Sequence, residues 1–154
     1  MAAERIRSLV ARLDTRNLTE QDKAWTQLRP LGSSVVPFLA EAYETTGKAR
    51  GRARLVYQAL FYARERPEAF QLGIRALEDR ARDVRTWACA LLAYSLDKQA
   101  IPHLKALRNH PDETTRSDAH AALQAIHKHN HHLFKDREHT GRVFWVVNPE
   151  DHPP

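Results

Sequence analysis

The chain has a single cysteine, Cys89, in 154 residues, so it cannot close an internal disulfide and asks for no oxidising compartment. Five glycines leave few places for the tight turns of a sheet protein. Long apolar runs are missing too, with nothing near the about 20 residues of a membrane span. The opening "MAAERIRSLVARLD" interrupts its apolar positions with Glu4, Arg5, Arg7 and Arg12, unlike the apolar core of a signal peptide. These absences predict a cytoplasmic protein without membrane contact. Also lacking are a glycine-rich phosphate loop, "GxSxG", "HExxH" and paired cysteines, so no familiar catalytic or metal motif is present.

What the chain does have is helix-forming composition: 42% apolar and 28% charged residues, with Ala, Leu, Arg and Glu frequent throughout. The net charge of +5 comes from the first half: up to Leu77 there are 13 Lys plus Arg against 8 Asp plus Glu, and after it 11 against 11.

The stretch "RDVRTWACALLAYSL", Arg82 to Leu96, places Val84, Ala88, Leu91 and Leu92 at the i, i+4, i+7, i+8 spacing of a helix stripe, with Asp83 as its expected N-cap. The pattern returns 31 residues later, where Arg116, Ala119, Ala122 and Leu123 stand for Arg85, Ala88, Leu91 and Leu92. Pro102 in "QAIPHLKAL" similarly repeats Pro37 in "SSVVPFLAEAY", 65 residues upstream or about two periods, and Pro67 opens a further helix. The spacing predicts eight helices in four pairs, near 3–13, 20–30, 34–45, 50–65, 67–78, 84–96, 99–109 and 113–129, with Thr19 and Asp22 as a capping-box variant for the second.

A proline in the first helix followed by Asp-x-Arg at the entry to an Ala/Leu-rich second helix resembles HEAT or HEAT-like (PBS-lyase-type) repeats. The match is clearest from Pro67 to His129, fair from Ser33 to Glu65 and weak before that; the fourth unit has Thr114-Thr115-Arg116 in place of Asp-Val-Arg. The resemblance implies an all-α fold, a right-handed α-solenoid of about four helix pairs over residues 1–129, in which the Asp caps the second helix and the Arg bonds neighbouring turns. Residues 130–154 break the pattern. "RVFWVV" and the nearby "LFKD" predict a β-hairpin turning at Gly141 and packed on the last pair, either as a cap or as a binding element, and "NPEDHPP" predicts a frayed end.

Chemistry is harder to place. His120, His127, His129, His131 and His132 crowd one region, and His127 with His131 has the i, i+4 spacing that begins some zinc sites, but no third ligand is evident. No metal, cofactor or catalytic residue is therefore expected, and Cys89 falls inside an apolar helix face. In "KARGRAR", Lys48, Arg50, Arg52 and Arg54 gather without an acid at a helix start, where the dipole disfavours cations. They form either a solvated face or a patch for an acidic partner or phosphates. Arg52, Arg85 and Arg116 begin successive second helices and could line the inner face, while Trp145 in the tail is a candidate contact. The expectation is a non-enzymatic macromolecule-binding protein with an acidic protein partner, an adaptor or an inhibitor of the immunity-protein kind; the alternative, motivated by the first-half charge and "KARGRAR", is nucleic-acid binding or repair as in HEAT-like alkylpurine glycosylases, with which Trp87 near Asp83 and Arg85 invites comparison, although core packing is the expected role of Trp25 and Trp87.

Overall fold

A computed structural model describes all 154 residues. Eight α-helices run in chain order: α1 Ala3–Ala11, α2 Leu18–Leu28, α3 Val36–Thr45, α4 Ala49–Leu60, α5 Pro67–Ala76, α6 Arg82–Ser95, α7 Ile101–Ala106 and α8 Glu113–His127. Short 3-10 turns fill the joints before α3, α7 and α8, and none of the helices is long and apolar enough to cross a membrane. Pro37, Pro67 and Pro102 sit in the first turns of α3, α5 and α7, where the missing N–H has no helical partner to lose.

Consecutive helices pack in pairs, α1 with α2, α3 with α4, α5 with α6 and α7 with α8. First helices α1, α3 and α5 form one layer, and second helices α4, α6 and α8 lie side by side in the other, consistent with an α-solenoid. Helix α6 is the centre: Val84, Ala88, Cys89, Leu91 and Leu92 are all fully buried, because it has α4 on one flank, α8 on the other and α5 beneath. Gly73 permits the close approach of α5, since a Cβ there would stand 2.7 Å from Leu91 Cδ2.

Arginine and aspartate tie one repeat to the next. Arg52 grips Asp79 through two bonds, Nε at 2.8 Å and Nη2 at 3.1 Å, and its Nη1 donates to the carbonyl of Gly47 at 2.8 Å. Thirty-three positions on, Arg85 reaches Asp112 (3.4 Å), Thr115 Oγ1 (2.9 Å) and the carbonyl of Asp79 (2.9 Å). Arg116 donates to the carbonyls of His110 and Pro111. Arg52 and Arg85 thus satisfy loop carbonyls and the aspartate of the following unit, so that neither buried guanidinium is left alone, while Arg116 bonds loop carbonyls only.

The capping residues differ from the sequence expectation. Asp83 is exposed in the first turn of α6; Ala81 is the N-cap, and its N–H is taken by Asp79 at 2.9 Å. The cap of α2 is Asn17, which accepts from the Glu20 N–H, in place of Thr19.

The C-terminal hairpin is absent. His131–Phe134 forms a 3-10 turn that buries Leu133 and Phe134 against α8, which removes "LFKD" as a strand. Asp136 then accepts from the N–H groups of Thr140 and Gly141, at 2.9 and 2.8 Å, holding the loop in a closed shape with no ladder. Residues 142–147 run on without a pairing strand; Trp145 and Val147 face the core while Val143, Phe144 and Val146 are exposed. The final segment is not frayed either, because Pro149–Asp151 forms a 3-10 turn that buries the Asp151 carboxylate.

Candidate metal centre

The tail brings a buried cluster together at the carboxyl ends of α6 and α8. Asp151 supplies the charge. One of its oxygens accepts from the N–H groups of Val147 (3.1 Å) and Asn148 (2.9 Å), and the other lies 2.7 Å from His131 Nε2 and 2.9 Å from His132 Nε2. The three side chains offer ligand atoms that all lie within 4.8 Å of one another. Asn130, whose side chain accepts from the His132 N–H, sets the turn that presents both imidazoles to the same side.

A second ring of groups orients His131. Arg64 donates to the Tyr94 carbonyl at 3.2 Å, pairs with Glu150 at 2.7 Å and places Nη2 3.2 Å from His131 Nδ1. A guanidinium can only donate, so Nδ1 of His131 is the acceptor and its ring proton sits on Nε2, facing Asp151. Asn148 adds a bond to the same Tyr94 carbonyl. Two polar atoms in this corner are buried without a protein partner: the Tyr94 hydroxyl, whose ring packs 4.9 Å from that of His131, and Nδ1 of His132. Orphaned buried donors and acceptors are uncommon and mark a place where a further group can bind.

The electrostatics suit a ligand set. Burial pushes the His131 imidazole below its ordinary value, with the Asp151 bond opposing, which favours the neutral ring. Burial alone would raise Asp151, but the Asn148 N–H, His131 and the Val147 N–H together hold it below the usual carboxylate range. Neutral imidazole and ionised carboxylate are the forms a cation needs.

A groove of about 450 Å³ opens onto the two histidines, walled by Arg64, Ser95, Leu96, His129, Asn130 and Glu150. Leu96 and His129 hold left-handed backbone, φ 54° and φ 50°, at the ends of α6 and α8. Such conformations are unfavourable for side-chain-bearing residues and concentrate at functional sites.

The sequence-nominated residues lie elsewhere. His127 is exposed and apart from His131, so the i, i+4 pair does not form the cluster. Arg52 and Arg85 are buried in the inter-repeat bonds. Arg50 faces Asp14 at 3.3 Å, Arg54 covers the Tyr57 ring at 5.1 Å, and Lys48 is exposed at the start of α4. Trp87 and Trp145 stack at 5.5 Å, and the Lys135 ammonium lies 4.8 Å from the centre of the Trp145 ring. Cys89 is fully buried, and burial raises its thiol far above the ordinary value. Asp151 was missed because it is 20 residues from His131; its signal was "NPED", with Asn, Pro and an acid at the cap, first and third positions of a turn.

No family model matches the chain, and no curated protein matches it. Among solved structures it is similar to human deoxyhypusine hydroxylase in complex with glycerol, with a TM-score of 0.67 and 16% identity. The match covers 98% of this chain and 51% of that one, so the chain spans about half the length of that protein. At this identity the likeness shows the fold, a HEAT-like helical repeat.

These findings correct the expectation of a non-catalytic binding scaffold and of no enzymatic activity. The fold is one that an enzyme uses, so helical repeats are no ground for a passive adaptor, and His131, His132 and Asp151 form a cluster of metal-ligating type. The adaptor and immunity-type inhibitor readings rested on that expectation and fall with it.

Proposed function

We propose that this chain is a metal-dependent enzyme whose metal is held by His131, His132 and Asp151. The observation that carries the reading is the convergence of two imidazoles on one buried carboxylate at the floor of a groove. Two histidines and one carboxylate are the donor set that non-haem iron(II) oxygenases use, with positions left open for substrate. The hydroxylase named among the solved structures of this fold favours the same class, so iron(II) and oxidative chemistry on a polar substrate are the specific proposal. When bound, such an ion supplies Lewis-acid or redox character at the open positions.

The chain's own groups have definable tasks. Asp151 fixes the charge and, through its second oxygen, locks the tail over the site. Arg64 and Glu150 orient His131, and both stand at the groove, where they select a substrate carrying polar or charged groups. A cation held at Nε2 of His131 would require the ring proton to sit on Nδ1, so the Arg64 Nη2 contact with Nδ1 would be given up and Arg64 left to Glu150 and the Tyr94 carbonyl.

Cobalt(II) titration of the metal-stripped protein tests this. The proposal requires a ligand-field absorption band saturating at one ion per chain and lost in His132→Ala. A spectrum of free aqueous cobalt, or a band that persists in His132→Ala, overturns it.

A further inference from the structure

Rings run in unbroken contact from the metal cluster to the surface of the second-helix layer. His131 packs on Tyr94 of α6 with ring centres 4.9 Å apart, Tyr94 on Trp145 of the tail at 5.5 Å, Trp145 on Trp87 of α6 at 5.5 Å, and Trp87 on Tyr57 of α4 at 4.8 Å. Apolar packing alone is served as well by Phe or Leu, yet every ring beyond His131 is an indole or a phenol, the side chains that give up an electron most easily. Phe61 and Phe134 branch from the row. A phenyl ring is much harder to oxidise, so neither offers an exit, and the row ends at Tyr57.

The charges and polar atoms along the row decide where an electron vacancy can rest. The Tyr94 hydroxyl is buried with no acceptor for its proton, and burial holds the phenol protonated. An oxidised phenol that keeps its proton is high in energy, so Tyr94 passes an electron without resting as a radical. The Lys135 ammonium stands 4.8 Å from the Trp145 ring centre, where it is attracted to the neutral ring and repelled by an oxidised one. No cation covers Trp87, so a vacancy on Trp145 is pushed outward to it. Tyr57 lines the open groove between α2 and α4, and its hydroxyl is neither buried nor bonded to the protein, so water takes its proton. The resulting radical is neutral and is not repelled by Arg54 beside it.

We infer that Tyr94, Trp145, Trp87 and Tyr57 form a one-electron relay that drains oxidising equivalents from the cluster to the surface at Tyr57, sparing His131 and His132 from damage. The inference rests on the oxidative reading of the metal site. An oxidant of the oxygen- or peroxide-derived class at the cluster takes one electron from Trp145 across the Tyr94 ring. Trp87 refills Trp145, and Tyr57 refills Trp87 while releasing its phenolic proton to water. A soluble thiol or ascorbate then returns one electron and one proton to Tyr57, so each transit consumes one reducing equivalent and leaves the rings unchanged.

Pulse radiolysis with azide radicals, which take one electron from indole rings, tests the relay on metal-free protein. A Trp25→Phe background confines the first oxidation of indole to Trp87 and Trp145. The indolyl absorbance should decay into tyrosyl absorbance in a step whose rate is independent of protein concentration. Tyr57→Phe should abolish that step, and Trp87→Phe should slow it by tenfold or more. Tyr57→Phe removes only a hydroxyl without a protein partner, so the fold is kept. Indolyl decay that depends on protein concentration, or a tyrosyl step unchanged in Tyr57→Phe, overturns the relay. Iron(II)-loaded protein given hydrogen peroxide links the relay to the cluster: peptide mapping should find oxidised Trp87 and Tyr57 in the wild type, and damage moved to Trp145 and His131 in Trp87→Phe. The same damage in both proteins overturns the protective role. Protein that takes up no iron defeats the metal reading instead, and the radiolysis result still decides whether the rings pass an electron.

Discussion

His131 Nε2 and Asp151 Oδ1 lie 2.7 Å apart, joining the turn after α8 to a tail that its composition marks as loose. The contact does two things at once. It stabilises the last segment on the helical layer, and it assembles the only cluster in the chain with a metal-binding donor set.

The inter-repeat arginines should matter far more than surface ion pairs. Arg52→Ala leaves Asp79 buried without its counter-charge and should cost about 3–5 kcal/mol. Arg75 pairs with Glu44 where both side chains are more than half exposed and screened by water, and Arg75→Ala should leave the denaturation midpoint close to that of the wild type. Urea denaturation of both variants checks the contrast, and equal losses would refute the ladder's importance. Arg52→Lys should not restore the wild-type midpoint, because the pair uses two guanidinium nitrogens.

Acid stability follows from the same network. Burial opposes ionisation of Asp79, yet its bonds from Arg52, Tyr43 and the Ala81 N–H hold its carboxyl below the ordinary 3.8. Asp136 is lowered by the Thr140 N–H first, with the Thr140 hydroxyl and Gly141 N–H adding to it. A carboxyl lowered in the folded state contributes stability that is complete above 3.8 and lost as pH falls through the folded value. Denaturation midpoints should therefore be steady on these groups' account down to about pH 4 and fall below it. In Asp79→Asn the fall should be shallower, as measured by urea titration at a series of pH values.

Strain at the groove gives a prediction of opposite sign. Leu96 caps α6 in left-handed conformation, φ 54° and ψ 20°. Leu96→Gly should raise stability by about 1 kcal/mol, which is about 2–4 °C in Tm for a chain of this size. Calorimetry showing a lower Tm would mean that the Leu96 side chain contributes more by packing than its backbone costs.

Helices were legible from the residues because apolar spacing at 3.6 recurs: Val84, Ala88, Leu91 and Leu92, and Ala119, Ala122 and Leu123 at the same spacing 31 residues on, are buried as their periodicity predicts. Pro37, Pro67 and Pro102 located three first turns for a local reason, the missing N–H. Caps were less legible, since Asp79 could serve Ala81 only because Arg52 of the preceding unit orients it. The hairpin failed on competition. "RVFWVV" has strand propensity, but its intended partner buries Leu133 and Phe134 in a turn instead, and propensity yields to that burial. The metal cluster was half visible: His131 and His132 were noticed, whereas their third partner lies beyond a loop whose path Asp136 and Trp145 set.

The central claim is that His131, His132 and Asp151 hold a metal ion. Metal analysis of untagged protein, stripped and then reconstituted with iron(II) under anaerobic conditions, tests it most directly. The account predicts one iron per chain after desalting, and below about 0.1 in His131→Ala and His132→Ala. Wild-type protein that retains no iron, or variants that retain as much as it does, would contradict the account and leave Asp151 as a clamp for the tail alone.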